Sequence, residues 1–198
     1  MNITHPVIRI QYARFLAPIF NGYNDIDTTQ EKFKLDTIVE RINAQRAAWT
    51  KDADSILRSL QELLELTFFE NLIKVYMVPA HKGAFSDPIV MSSLVTPEQF
   101  PDILTHELIH RLSVFNRENC DVSPAIRQVL PDVTDQKIYV HVFVHAFHKA
   151  IYLDILHDEK RLERDINTST APAYQEAWKI VEERGYKELI SKFKKYYK

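Results

Sequence analysis

Three glycines, Gly22, Gly83 and Gly185, are all that this 198-residue chain offers to tight turns. Two-residue hairpin turns need positive φ, which glycine adopts at the least cost. A chain this poor in glycine is expected to be rich in helix, with few tight hairpins. Its 45% hydrophobic and 26% charged residues are ordinary for a globular protein and sufficient for a sizeable core. One domain over residues 1–198 is the expectation.

Hydrophobic spacing divides the chain into elements. Residues 6–20 are apolar with scattered aromatics and read as a strand or short helix ending at the Asn21-Gly22 turn. Thr28-Thr29-Gln30-Glu31 has the form of a capping box, and Leu35, Ile38, Val39, Ile42 and Ala47 keep helical spacing up to Trp49. Asp52 or Asp54 would cap a second helix, in which Ile56, Leu57, Leu60, Leu63 and Leu64 form a wide apolar stripe. The period then changes. Residues 72–78 are rich in β-formers and close at Pro79, as a strand would. After a turn at His81-Lys82-Gly83, Ile89-Val90-Met91 makes a second short strand, with Pro88 where an edge strand tolerates it. Thr96-Pro97 is a helix start, and the next helix is placed from about residue 101 to near Phe115. Residues 117–135 are expected to be loop with a short helical turn between Pro124 and Pro131. A long helix follows from Gln136 to Leu156, then a charged helical segment over 158–166. Ala171-Pro172 opens a further helix ended by Gly185, and the basic tail from Lys187 to Lys198 is helical again.

One stretch carries chemistry: Thr105-His106-Glu107-Leu108-Ile109-His110-Arg111. On a helix, residues four apart share a face, so His106 and His110 can present two imidazoles to one divalent ion. Glu107 would point toward the same cleft, placed to handle the proton of a metal-bound water. Ile103, Leu104, Leu108, Ile109, Leu112 and Phe115 supply apolar cover on the remaining faces.

At these residues the chain resembles the zincin metallopeptidases. The resemblance implies an α+β, mostly helical domain. It has a small sheet whose edge strand lies beside the His-Glu helix, and a second ligand-bearing helix follows. It also implies Zn2+ as cofactor and a peptide or protein as substrate. A catalytic zinc site normally has three protein ligands and a water. The metzincin pattern would put glycine and histidine three and six residues after His110, where this chain has Ser113 and Asn116. The gluzincin pattern takes a glutamate from a following helix, and here that helix has none before Glu159. It carries His141 and His145 instead, so the topology looks gluzincin-like with histidine replacing glutamate. His145, nearer the middle of the helix, is the preferred third ligand and His141 the next. Glu159, Asp132 and Asp135 are weaker candidates.

In the mechanism the resemblance implies, zinc acidifies its water and polarises the scissile carbonyl. Glu107 takes the proton and returns it to the leaving amine. Tyr152, His148 and His141 are the candidates to meet the developing oxyanion. The strand at 89–91 would hold an extended peptide by backbone hydrogen bonds, unless the chain's own loops cover it. The alternative from another class is a non-catalytic zincin-like binding or regulatory module.

The net charge of −2 gives no whole-chain reason to expect nucleic acid. The alternation of lysine with Tyr186, Phe193, Tyr196 and Tyr197 in the tail reads as a solvated face over a packed one. No apolar run is long enough to span a bilayer, and Met1 to Pro6 lacks the form of a secretion signal. The lone Cys120 excludes an internal disulfide and suits a reducing compartment. The expectation is a soluble, cytoplasmic protein with no nucleic-acid or membrane partner.

Overall fold

The computed structural model describes residues 5–27 and 29–197. The chain divides into two compact units. One comprises the residues up to Asp54 with Glu70–Leu108, the other Ser55–Phe69 with the residues from Ile109 on.

The first unit holds a four-stranded mixed sheet in the order β1-β2-β4-β3, built from β1 (Val7–Tyr12), β2 (Leu72–Val78), β3 (Phe85–Ser86) and β4 (Ile89–Ser92). β1, β2 and β4 run parallel, and β3 is antiparallel to β4. Parallel neighbours need a crossover, and the chain between β1 and β2 supplies α1 (Ala17–Tyr23), a 3-10 turn (Glu31–Phe33) and α2 (Leu35–Leu64). Ile10, Ile73, Val75, Met77, Ile89 and Met91 of the sheet are buried, as are Ile38, Ile42 and Trp49 of α2. Two polar side chains fasten α2. Gln45 Nε2 donates to the carbonyls of Ser93 (3.3 Å) and Val95 (2.6 Å). The Arg46 guanidinium donates twice to the carbonyl of Ile10, at 2.9 and 2.7 Å.

Several expectations need correction here. The two helices expected over residues 30–64 are one, because neither glycine nor proline interrupts 35–64 and an interior aspartate costs at most about 0.7 kcal/mol of propensity. Asp54 pairs with His5 Nε2 at 2.7 Å from within that helix. Thr28, first residue of the proposed capping box, lies outside the described residues. Thr29 donates from its backbone (3.0 Å) and hydroxyl (2.6 Å) to Asp27, and the helix starts only at Leu35. α1 runs through Gly22 to Tyr23. The expected edge strand is not an edge: β3 folds back through Asp87-Pro88 and pairs with Ile89 and Val90, so β4 lies between β2 and β3.

α3 (Phe100–Phe115) is continuous through the division of the units. Thr96 Oγ1 accepts from the Gln99 amide (3.3 Å) in the turn that leads into it. The second unit adds α4 (Val122–Val129), α5 (Gln136–Ala150) with a π-helical continuation (Ile151–Ile155), α6 (Glu159–Thr168), α7 (Pro172–Arg184) and α8 (Tyr186–Tyr196). The short helical turn expected between Pro124 and Pro131 is a helix that already begins before Pro124, capped by Asp121. Gly185, at φ 76°, turns α7 into α8. The core here is Ile56, Leu57, Leu60 and Leu64 with Phe143, Phe147, Val181 and Phe193. On α8, Leu189 and Phe193 are buried, while Lys187, Lys192 and Lys194 pair with Asp154 (3.1 Å), Glu188 (2.6 Å) and Glu65 (2.7 Å). Among the described residues no helix is long and apolar enough to cross a membrane.

The end of α3 is tied down by Asn116. Its amide oxygen accepts from the Thr67 N–H (3.2 Å), and its amide nitrogen donates to the carbonyls of Thr67 (3.0 Å) and Leu112 (2.8 Å). Removing a buried partner leaves backbone groups unsatisfied. Asn116→Ala should therefore cost about 2–3 kcal/mol in urea unfolding. A loss below about 0.5 kcal/mol would mean that water takes over the role.

Candidate metal centre

His106 and His110 stand one turn apart on α3, half-buried, and Glu107 beside them is buried. In the second unit, α5 sets His141 against His110, with ring centroids 5.2 Å apart at 73°. One ligand atom from each of His106, His110 and His141 lies within 4.8 Å of the others, close enough to hold a metal ion.

The residues fit a metal on two counts. First, Nδ1–H of His141 donates to the carbonyl of Lys137, one turn back on α5, at 2.6 Å. That contact puts the ring proton on Nδ1, the usual arrangement of a histidine that ligates through Nε2. Second, two of the three imidazoles are shifted toward their neutral form, which ligands require. Burial, then the neighbouring His141, lowers His110 to about 4, and burial lowers His141 too. Burial raises the Glu107 carboxyl to about 7, so near neutrality it can both take up and release a proton.

The third histidine of the cluster is His141; His145, the residue preferred from sequence, is not part of it. Its ring stacks on Trp178 of α7 (4.1 Å, 11°) and is only 2% exposed. One turn earlier, Tyr174 covers His141 at 4.1 Å. Two imidazoles four apart on α5 thus face two aromatic rings four apart on α7, so the helices pack through a two-rung ladder. Tyr174 and Trp178 escaped the sequence analysis. Their i, i+4 spacing was the available signal, but nothing in sequence says which helix they face.

Tyr152 and His148 form a cluster of their own. Their rings stack (4.4 Å, 26°), the Tyr152 hydroxyl donates to Asp165 (2.9 Å), and His148 Nδ1 lies 3.4 Å from the same carboxylate. The Tyr152 hydroxyl is thus turned to Asp165. Of the weaker ligand candidates, Asp132 pairs with Arg184 and Asp135 caps α5, accepting from Lys137 N (2.7 Å) and Ile138 N (3.2 Å). Glu159 is exposed in the first turn of α6. The Cys120 thiol donates to the carbonyl of Tyr197 at 2.7 Å. No protein-family model matches this chain, and no curated protein or solved structure matches it.

His145 and His148 make stability pH-dependent. Burial, followed by the nearby imidazoles, holds His145 well below 6.5. Burial and then the Arg161 guanidinium push His148 to about 3, despite the Asp165 carboxylate beside it. The unfolded chain therefore binds protons first as the pH falls, so stability is complete above about pH 6.5 and lost below it. Urea unfolding of chelator-treated protein should weaken between pH 6.5 and 4 by about 1.4 kcal/mol per histidine per pH unit. A midpoint unchanged from pH 7.5 to 5 would mean that these imidazoles are charged in the folded protein.

Proposed function

We propose that this protein is a zinc-dependent metallopeptidase whose metal is held by His106, His110 and His141. The observation that carries the reading is the clustering of those three imidazoles beside a buried carboxylate that titrates near neutrality. What zinc supplies in such a setting is acidification of a water and polarisation of an amide carbonyl. Glu107 accepts the proton of the attacking water and delivers it to the leaving amine. The Lys137 carbonyl holds His141 in its ligating tautomer, and Tyr174 shields that ring from solvent on one side. The lone cysteine supports placing the protein in the reducing cytoplasm.

One observation favours the second reading, a metal-holding binding module without catalysis. β4, the strand that would grip an extended substrate, lies between β2 and β3, and β3 already pairs with its Ile89 and Val90. Activity with an intact metal site separates the two.

Protein prepared without chelator should contain one zinc per chain. His141→Ala should lose it, and His145→Ala should keep it, because the His145 ring is committed to Trp178. Zinc retained in the first variant and lost in the second would return the third ligand to His145. Glu107→Gln should keep both fold and metal while peptide hydrolysis falls by about 10²–10⁴, the usual share of a positioned acid–base group. Hydrolysis unchanged in that variant assigns the chemistry elsewhere, and none in the unaltered zinc-loaded protein favours the binding module.

A further inference from the structure

Within the second unit, a cavity of about 260 Å³ lies between α3, α4 and α5. One ligand histidine, His110, is part of its wall. Much of the rest is apolar: Val122, Ile126, Phe143 and Val144 line it and are all buried. Its charged lining is Arg117 and Arg127, both solvent-exposed and therefore at the mouth. Among the described residues, no carboxylate lines it.

Size and chemistry narrow the ligand. The volume lies below the about 300–1,000 Å³ typical of pockets for drug-sized molecules, so it accepts one amino-acid-sized group, not a length of peptide. The buried walls favour an apolar side chain. A cationic side chain would meet two guanidinium groups and no carboxylate in the lining, which disfavours it. The mouth favours an anion, and guanidinium matches the geometry of a carboxylate better than any other side chain. Both arginines can serve without breaking a strong contact. Arg127 donates to the Tyr139 hydroxyl at 3.1 Å through one Nη, which leaves other N–H groups on its fork. Arg117 meets Asp121 only at 4.0 Å, and both are solvent-exposed, where such pairs contribute little.

We infer that this cavity binds an apolar amino-acid residue bearing a free α-carboxylate, with Arg117 and Arg127 as the specificity-determining groups. The inference rests on the hydrolase reading for one consequence. Because His110 borders the cavity, the amide joining that residue to the rest of the substrate falls at the metal. The substrate is then cut to release its terminal amino acid. Two sources carry this chemistry, the C-terminus of a peptide and a small N-acyl amino acid.

Calorimetric titration with N-acetyl-L-phenylalanine and its neutral amide tests the inference without turnover. The acid should bind at least about tenfold more tightly than the amide, in zinc-loaded and in chelator-treated protein alike. Arg117→Gln and Arg127→Gln should each reduce that preference, and the double variant should abolish it. These side chains are exposed, so the variants should fold, and either single variant suffices if the double does not. Equal binding of acid and amide overturns the inference. So does a preference that survives in the variants, or one that disappears on chelation, which would put the carboxylate on the metal. Failure of the hydrolase reading looks different: the acid preference stays intact, but zinc-loaded protein does not cleave Ala-Ala-Phe. Titrating Ala-Ala-Phe into Glu107→Gln protein separates the two sources. Binding tighter than that of N-acetyl-L-phenylalanine assigns the site to peptide C-termini, and equal binding assigns it to N-acyl amino acids.

Discussion

Trp178 lies flat on His145, ring centroids 4.1 Å apart, and this contact decides which turn of α5 serves the histidine cluster. Two residues four apart on one helix share a face, so His141 and His145 cannot be told apart by spacing. α7 breaks the tie. Its Trp178 takes the deeper imidazole into the packed interface, and its Tyr174 covers the shallower one, which remains against His110. The backbone of α5 completes the arrangement: the Lys137 carbonyl, one turn before His141, takes the Nδ1 proton. A stack that looks like ordinary packing thereby goes with His141, not His145, being the α5 member of the histidine cluster.

The same burial carries an energetic consequence. His110, His145 and His148 are all held below their ordinary values, chiefly because a charged imidazole is costly in apolar surroundings. Neutral imidazoles are what a divalent ion requires, so the packing around His110 is compatible with the cluster holding one. Glu107 shifts the opposite way for the same reason, because burial disfavours its charged form as well. A single physical cause thus shifts both the imidazoles and the Glu107 carboxyl toward their neutral forms. At the two positions where a metzincin would place glycine and histidine, this chain does structural work. Ser113 Oγ donates to the carbonyl of Ile109 at 2.9 Å, and Asn116 bridges to Thr67.

Much of this was legible in sequence wherever one periodicity dominates. The strand at 72–78, the helix ending at Phe115 and the long helix from Gln136 follow from local patterns that tertiary structure does not overrule. The break expected near Asp52 failed because weak propensities were set against a helix whose apolar stripe continues on either side of it. The edge strand failed for a different reason. Phe85 and Ser86 are too few to show a period, yet two residues are enough to cover Ile89 and Val90. Likewise, His106 and His110 are visible because they share a helix, whereas choosing between His141 and His145 needs the aromatic residues of α7. Long-range contacts between short or isolated side chains leave no periodic trace.

The central claim is that imidazoles from α3 and α5 share one metal ion. X-ray absorption at the zinc edge of the loaded protein reads the ligand set directly. Three imidazole nitrogens at about 2.0–2.1 Å, with no sulfur near about 2.3 Å, is the result expected for His106, His110 and His141. A shell of oxygen atoms alone, or a zinc–sulfur distance from Cys120, would contradict the account.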